Sequence, residues 1–308
     1  MPLDADLLLD RRRLKRRLSL WRAAAVLAVA GVVLAFTLGD QRAGGLLPGV
    51  TGAHVARLNV SGFIGDDHEL IEELDRLRRS DAVRAVVVAI DSPGGSVAGG
   101  EGLHAALTRM AEAKPVVAVM GGTAASAGYM VALPAQRVFA RGATVTGSIG
   151  VILQSFDASG LLAWIGVNAE TIASGRFKDQ PSPFRPLTEE GRAELARVVQ
   201  DLHAQFVAMV AEGRRMDPAR VRELADGRVF TGREALALGL VDALGGEAEA
   251  RAWLAETRAV PEALPVRDIE IRGFAERTFG AALGFFAKSI ANEWVGVDRV
   301  RALWQPSP

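Results

Sequence analysis

Cysteine is absent from the 308 residues. Its absence excludes disulfides, thiolate zinc sites and a cysteine nucleophile, and leaves the redox compartment open. Net charge is absent as well: Lys plus Arg number 36 and Asp plus Glu 36. Nucleic-acid binding needs surplus positive charge gathered on one face, so no nucleic-acid partner is expected. Histidine is confined to His54, His68, His104 and His203. Lysine is as scarce, at Lys15, Lys114, Lys178 and Lys288, in a chain that otherwise uses arginine. No metal or cofactor is expected.

The charge that is present is unevenly placed. "DRRRLKRR" sets six basic residues between Arg11 and Arg17, shortly before the uncharged run Ala23 to Gly39. A span needs roughly 17–25 apolar residues, so this run is expected to be a transmembrane helix. Trp21 would sit at its interface, and the basic cluster would stay in the cytoplasm. A cleaved signal peptide competes, but "FTLGDQRAGG" offers no clear small-residue cleavage site. The expected division is a basic N-terminus at 1–22, a membrane helix at 23–39, a Gly/Pro linker at 40–53, a folded domain at 54–250 and a helical extension at 251–308. That extension, amphipathic and rich in Phe and Trp, is expected to pack on the domain or serve assembly.

From residue 54 strand and helix patterns alternate. "HVARLNVSGFI", "VRAVVVAI", "PVVAVM", "RVFA" and "VILQSF" read as strands. "DHELIEELDRLRRS", "VAGGEGLHAALTRMAEA" and the long "LTEEGRAELARVVQDLHAQFVAMVAEGRR" read as helices, the last opened by Thr188. "DPARVRELADG" and "TGREALALGLVDALGG" continue the helical pattern, with Gly245 and Gly246 closing it. Such alternation predicts an α/β fold with a largely parallel sheet.

Two stretches carry chemistry. "IDSPGGSV" follows a buried strand, and Gly94 and Gly95 there could expose backbone N–H groups to an oxyanion. Alone, it also reads as an ordinary strand-to-helix turn. "GGTAASAGYMVA" follows the next strand and puts Ser126 near a helix start, although its small residues equally suit close packing. A serine nucleophile needs a base. His104 and His203 lie within helices and are not well placed by sequence. A lysine serves when desolvation lowers its pKa from about 10.4 to roughly 7–8, and arginine cannot replace it. Lys178, in the loop "ASGRFKDQPSPF", is the candidate, with a solvated loop lysine as the plainer reading.

Taken together, "IDSPGGSV", "GGTAASAGYMVA", "TVTGSIGVI", "ASGRFKD" and "GRVFTGREALALGLVDALG" resemble the signal peptide peptidase A family of membrane-anchored bacterial serine peptidases. The resemblance covers about residues 54–250 and implies a Clp-protease/crotonase-like repeated β-β-α superhelix. It implies Ser126 as nucleophile, Lys178 as general base, Ser148 as the residue orienting that lysine, and Gly95 with Gly94 as the oxyanion hole. It further implies signal peptides and other hydrophobic peptides as substrates. The chain would be single-pass in the inner membrane, with the domain outside the cytoplasm and homo-oligomeric rings, such as an octamer, sharing sites between subunits. A crotonase-type acyl-CoA enzyme and an inactive membrane scaffold of the same fold are the alternatives.

Overall fold

The structure, a computed structural model, describes residues 52–269. The expected membrane helix at 23–39 and the tail beyond 269 lie outside them. Among the described residues no helix is long and apolar enough to cross a membrane.

The chain opens with β1 (His54–Ile64), α1 (His68–Arg78), β2 (Val83–Gly95), α2 (Val97–Ala113) and β3 (Val116–Ala125). These pair in parallel as β1–β2–β3. β2 is buried on both faces, and its side chains alternate between two cores. Val86, Val88 and Ile90 join the larger core, while Ala85 and Val87 join a smaller one with Ala250 and Leu254. Each buried Val, Leu or Ile is worth on the order of 1.5–3 kcal/mol. The helix caps at Asp67, Ser96 and Thr188 contribute about 1 kcal/mol each. The central strands therefore dominate.

Beyond β3 the sheet forks. The first half of β3, Val117–Met120, pairs with β4 (Arg137–Ala140), and its last residues, Thr123–Ala125, pair with β5 (Val145–Gly147). The short α3 (Ala127–Ala132) leaves β3 at the fork. After α4 (Ser159–Trp164) come α5 (Glu189–Arg214), α6 (Pro218–Leu224) and β6 (Val229–Thr231), which is antiparallel to β5. Then follow α7 (Gly232–Ala237), β7 (Ala243–Leu244), α8 (Glu247–Arg258) and β8 (Val266–Asp268). β7 extends β4, and β8 pairs in parallel with β1, so the sheet takes in residues on the far side of residue 250. The result is the expected α/β architecture, a mixed and mostly parallel sheet.

Two local expectations fail. "VILQSF" forms no strand; residues 151–158 are irregular, with Ile152 81% and Phe156 73% exposed. A strand needs a pairing edge, and β6 already occupies the free side of β5. "TGREALALGLVDALGG" is not one helix. α7 stops at Ala237, Gly239 turns left-handed at φ +77°, and Ala243–Leu244 becomes β7.

The last residue of α5 locks this connection. Arg214, 8% exposed at its side chain, donates to both Asp242 oxygens at 3.0 and 2.6 Å and to the Gly239 carbonyl at 2.9 Å. Asp242 also accepts the Val138 N–H at 2.7 Å. Burial opposes the Asp242 charge, but the guanidinium outweighs it and holds the carboxylate below its ordinary range. This contribution is full above the unfolded carboxylate value of about 3.9 and is lost as pH falls through the lower folded value. Arg214→Met should cost about 3 kcal/mol in urea unfolding, since it strands a partly buried carboxylate. It should also flatten the acid limb of stability below about pH 4.

Candidate active site

At the end of β3 the chain must turn sharply into α3, and Ser126 makes that turn at φ +53°. A non-glycine residue there costs about 1–3 kcal/mol, so the surroundings must enforce it. They do so from both sides of the residue. The Ser126 N–H donates to the Gly147 carbonyl at 2.9 Å, and its own carbonyl accepts from Tyr129 at 2.8 Å and Met130 at 3.1 Å. The Oγ makes no capping bond to the helix it precedes and has no hydrogen-bond partner among the described residues. A serine used as a cap would spend its oxygen on the backbone; this one keeps it free. The small neighbours do pack closely as well. A Cβ on Gly128 would sit 3.0 Å from the Ser92 carbonyl, and one on Gly100 would sit 3.0 Å from the Ala127 Cβ.

The turn ending β2 faces this serine. Gly94 lies at φ +125°, and a Cβ there would come within 2.9 Å of the Ser126 Cβ and 3.3 Å of its Oγ. Only a glycine leaves room for Ser126 to stand beside it. Its N–H, however, donates to the buried Ser92 Oγ at 3.1 Å, while that hydroxyl donates to the Gly62 carbonyl at 2.6 Å. In this structure the Gly94 donor of the expected oxyanion pair is thus engaged by Ser92. Gly95 is differently placed. It lines the cavity with Ser126, and its Cα lies so close to β1 that a Cβ would strike the Ile64 carbonyl at 2.0 Å, while the next N–H, that of Ser96, donates to that carbonyl at 2.9 Å. Ser92 lies within a motif legible in the sequence, but its role as brace of the turn was not.

Ser148 follows β5, also left-handed at φ +49°, and its N–H donates to the Arg228 carbonyl at 2.8 Å. Ser126 and Ser148 line one cavity of about 550 Å³ together with Gly94, Gly95, Ile152 and His203. Lys178 does not line it. Its side chain is exposed in a loop turn, and its backbone N–H donates to Gly175 at 3.1 Å. That loop is pinned to α5 by Arg176–Glu190, and by Gln180, whose side-chain oxygen would lie 2.3 Å from a Cβ on Gly191. Within one chain the predicted serines meet and the predicted base stands apart.

His203 is the residue sequence reasoning set aside. A helix position spaced for packing gave no sign of it, because only the tertiary fold turns that face of α5 toward the cavity. Its Nε2 lies 2.8 Å from the Ala225 carbonyl. Asp226 is also on the rim, its carboxyl held down to about 2 by the hydrogen-bonded Arg228 guanidinium. His104 does not line the cavity, and burial pushes its imidazole pKa down.

The model of peptidase family S49 matches residues 108–261, half of the chain, and the Clp protease model matches residues 64–149. The chain belongs to peptidase family S49. A Synechocystis protein named "Putative protease" is 40% identical over 65% of this chain and 73% of its own. An Enterococcus faecium protein named "Putative signal peptide peptidase SppA" is 30% identical over 83% of this chain and 78% of its own. The chloroplastic serine protease SPPA of Arabidopsis thaliana is 33% identical over 84% of this chain and 37% of its own. As an S49 member the chain is a serine peptidase with a Clp-protease-like α/β fold. Because Gly94 has no room for a Cβ beside the serine, Gly94→Ala should lower peptide cleavage about 100-fold, the scale of a misplaced reacting group. The same substitution should slow Ser126 acylation by a fluorophosphonate in parallel.

Proposed function

We propose that this S49 peptidase is a membrane-anchored Ser–Lys endopeptidase that degrades released signal peptides and other hydrophobic peptides. One observation carries the reading: Ser126, its oxygen unspent and its backbone held left-handed, opens into a cavity shared with Ser148. The Ser126 Oγ attacks the scissile carbonyl carbon while its proton passes to the neutral Lys178 amine. The oxyanion is held by the Gly95 N–H, and Ser148 orients the lysine. The lysine ammonium then protonates the leaving amine, and water hydrolyses the acyl-enzyme ester to return the serine.

The apolar character of the groove supports a hydrophobic substrate. Phe63, 76% exposed, and Ile152 line the cavity, and Ile152 continues with Phe156 into an adjoining cleft of about 710 Å³. The apolar run 23–39 would serve as the anchor at the membrane from which such peptides leave.

Lys178 is supplied, in this reading, by a neighbouring subunit of a ring. Residues 151–172 expose Ile152, Phe156, Trp164 and Ile172 at 73% or more each. Four large apolar side chains this exposed within 21 residues are what a second copy would cover. Mixing tests both claims in detergent. Ser126→Ala and Lys178→Ala should each be inactive on a hydrophobic peptide, and equal mixtures reassembled together should regain roughly a quarter of wild-type activity, the share of intersubunit sites left intact. No recovery from mixed rings would place the dyad within one chain, and full activity of Lys178→Ala would end the Ser–Lys mechanism.

A further inference from the structure

His203 has no part in the proton transfers just described, yet it walls the cavity and is bonded to its framework. The Ala225 carbonyl can only accept, so Nε2 of His203 carries the proton and donates to it at 2.8 Å. Ala225 ends α6 and is itself buried. From there the chain makes a tight turn that closes on the serines. Asp226 accepts the Arg228 N–H at 3.1 Å, and Gly227, left-handed at φ +87°, donates to the Ile149 carbonyl at 3.2 Å. The Arg228 carbonyl then receives the Ser148 N–H at 2.8 Å, one residue on from the Gly147 carbonyl that receives the Ser126 N–H. A continuous hydrogen-bonded path therefore runs from the imidazole, through the 225–228 turn, to both left-handed serines.

We propose that His203 is a positioning residue: it holds the 225–228 turn in the place from which Arg228 fixes Ser148 in the cavity. This rests on the reading of Ser148 as the group that orients the lysine. The turn needs such a tether. A Cβ on Gly227 would meet nothing within 4 Å, although its Cα would lie 3.3 Å from a Cβ on Gly150, and Asp226 and Arg228 pair with each other in solvent rather than with the body of the domain. An exposed ion pair of this kind is worth little. Ala225 packs in the core at one end of the turn and Val229 pairs with Gly147 at the other; between them, the hydrogen bonds that hold the turn are those with Ile149 and Ser148 and the one from His203.

Glutamine can present an amide N–H near the position of Nε2, whereas leucine fills the space without a donor. His203→Leu should lower kcat about 10-fold with KM changed less than about 2-fold, and His203→Gln should restore most of kcat, as expected when a reacting constellation is loosened. A double-mutant cycle with Ser148→Ala supplies the readout that a purely structural role would not move. If His203 acts through Ser148, adding His203→Leu to Ser148→Ala costs nothing further. Should His203→Leu fail to fold, His203→Asn, whose shorter amide stops short of Ala225, should lose kcat where Gln keeps it. Wild-type kcat in Leu or Asn, or a loss that multiplies fully onto Ser148→Ala, would overturn the proposal. Full activity of Ser148→Ala alone would instead remove the lysine-orienting reading beneath it, an outcome distinct from an impaired Ser148→Ala beside a fully active His203→Leu.

Discussion

The 2.9 Å hydrogen bond from the Ser126 amide to the Gly147 carbonyl ties the end of β3 to the end of β5. It exists because β3 is shared, paired first with β4 and then with β5. The fork brings a second strand end beside the serine at the point where its chain must reverse. Strain of about 1–3 kcal/mol is then absorbed by fixed backbone bonds rather than by the side chain, which is left for chemistry. Two bare Cα atoms make room for the arrangement. Gly94 clears space beside the serine itself, and Gly147 would otherwise drive a Cβ to 2.6 Å from the Phe230 ring. The sheet's branching, two glycines and one serine are thus a single steric solution.

That solution gathers Ser126, Ser148 and the turn at Gly95 on one cavity, and among the described residues it leaves Lys178 off that cavity. An ammonium on an open loop is well solvated, and a lysine accepts a proton only where its charge is disfavoured by dry surroundings. The same chain leaves a broad apolar surface over residues 151–172 uncovered. Under the proposed reading the two deficits cancel: the contact that buries the apolar surface also encloses the lysine, so activity waits on assembly. Such coupling would confine an unselective hydrolytic serine to complete rings.

The core elements were legible because their signals are local. "VRAVVVAI" is buried on both faces whatever lies beside it, and the long α5 carries its own cap at Thr188 and its own apolar stripe. Ser126 and Ser148 were legible through their motifs, and the structure puts both on one cavity. What could not be read depends on partners distant in sequence. His203 looks like any packed helix residue until α6 delivers Ala225 to it. Nothing in the sequence shows that the buried Ser92 hydroxyl, two residues earlier, accepts the Gly94 N–H. "TGREALALGLVDALGG" keeps a helical pattern through a segment that the Arg214–Asp242 pair and the Tyr129 hydroxyl, bonded to the Leu240 carbonyl at 2.8 Å, pull out of helix.

The misread strand at "VILQSF" is the informative error. Its apolar residues read as one more strand, and hydrophobic runs are buried more often than not. Beside β5 no edge is left for it, since β6 pairs there in antiparallel fashion. A segment that keeps strand-like hydrophobicity where its own fold offers no shelter is written for a surface outside that fold. On one side of it lies the Ser126 cavity, which Ile152 lines, and on the other lies the loop that carries Lys178. Under the proposed reading, a subunit that covers residues 151–172 would also wall the cavity in which Ser126 meets Lys178.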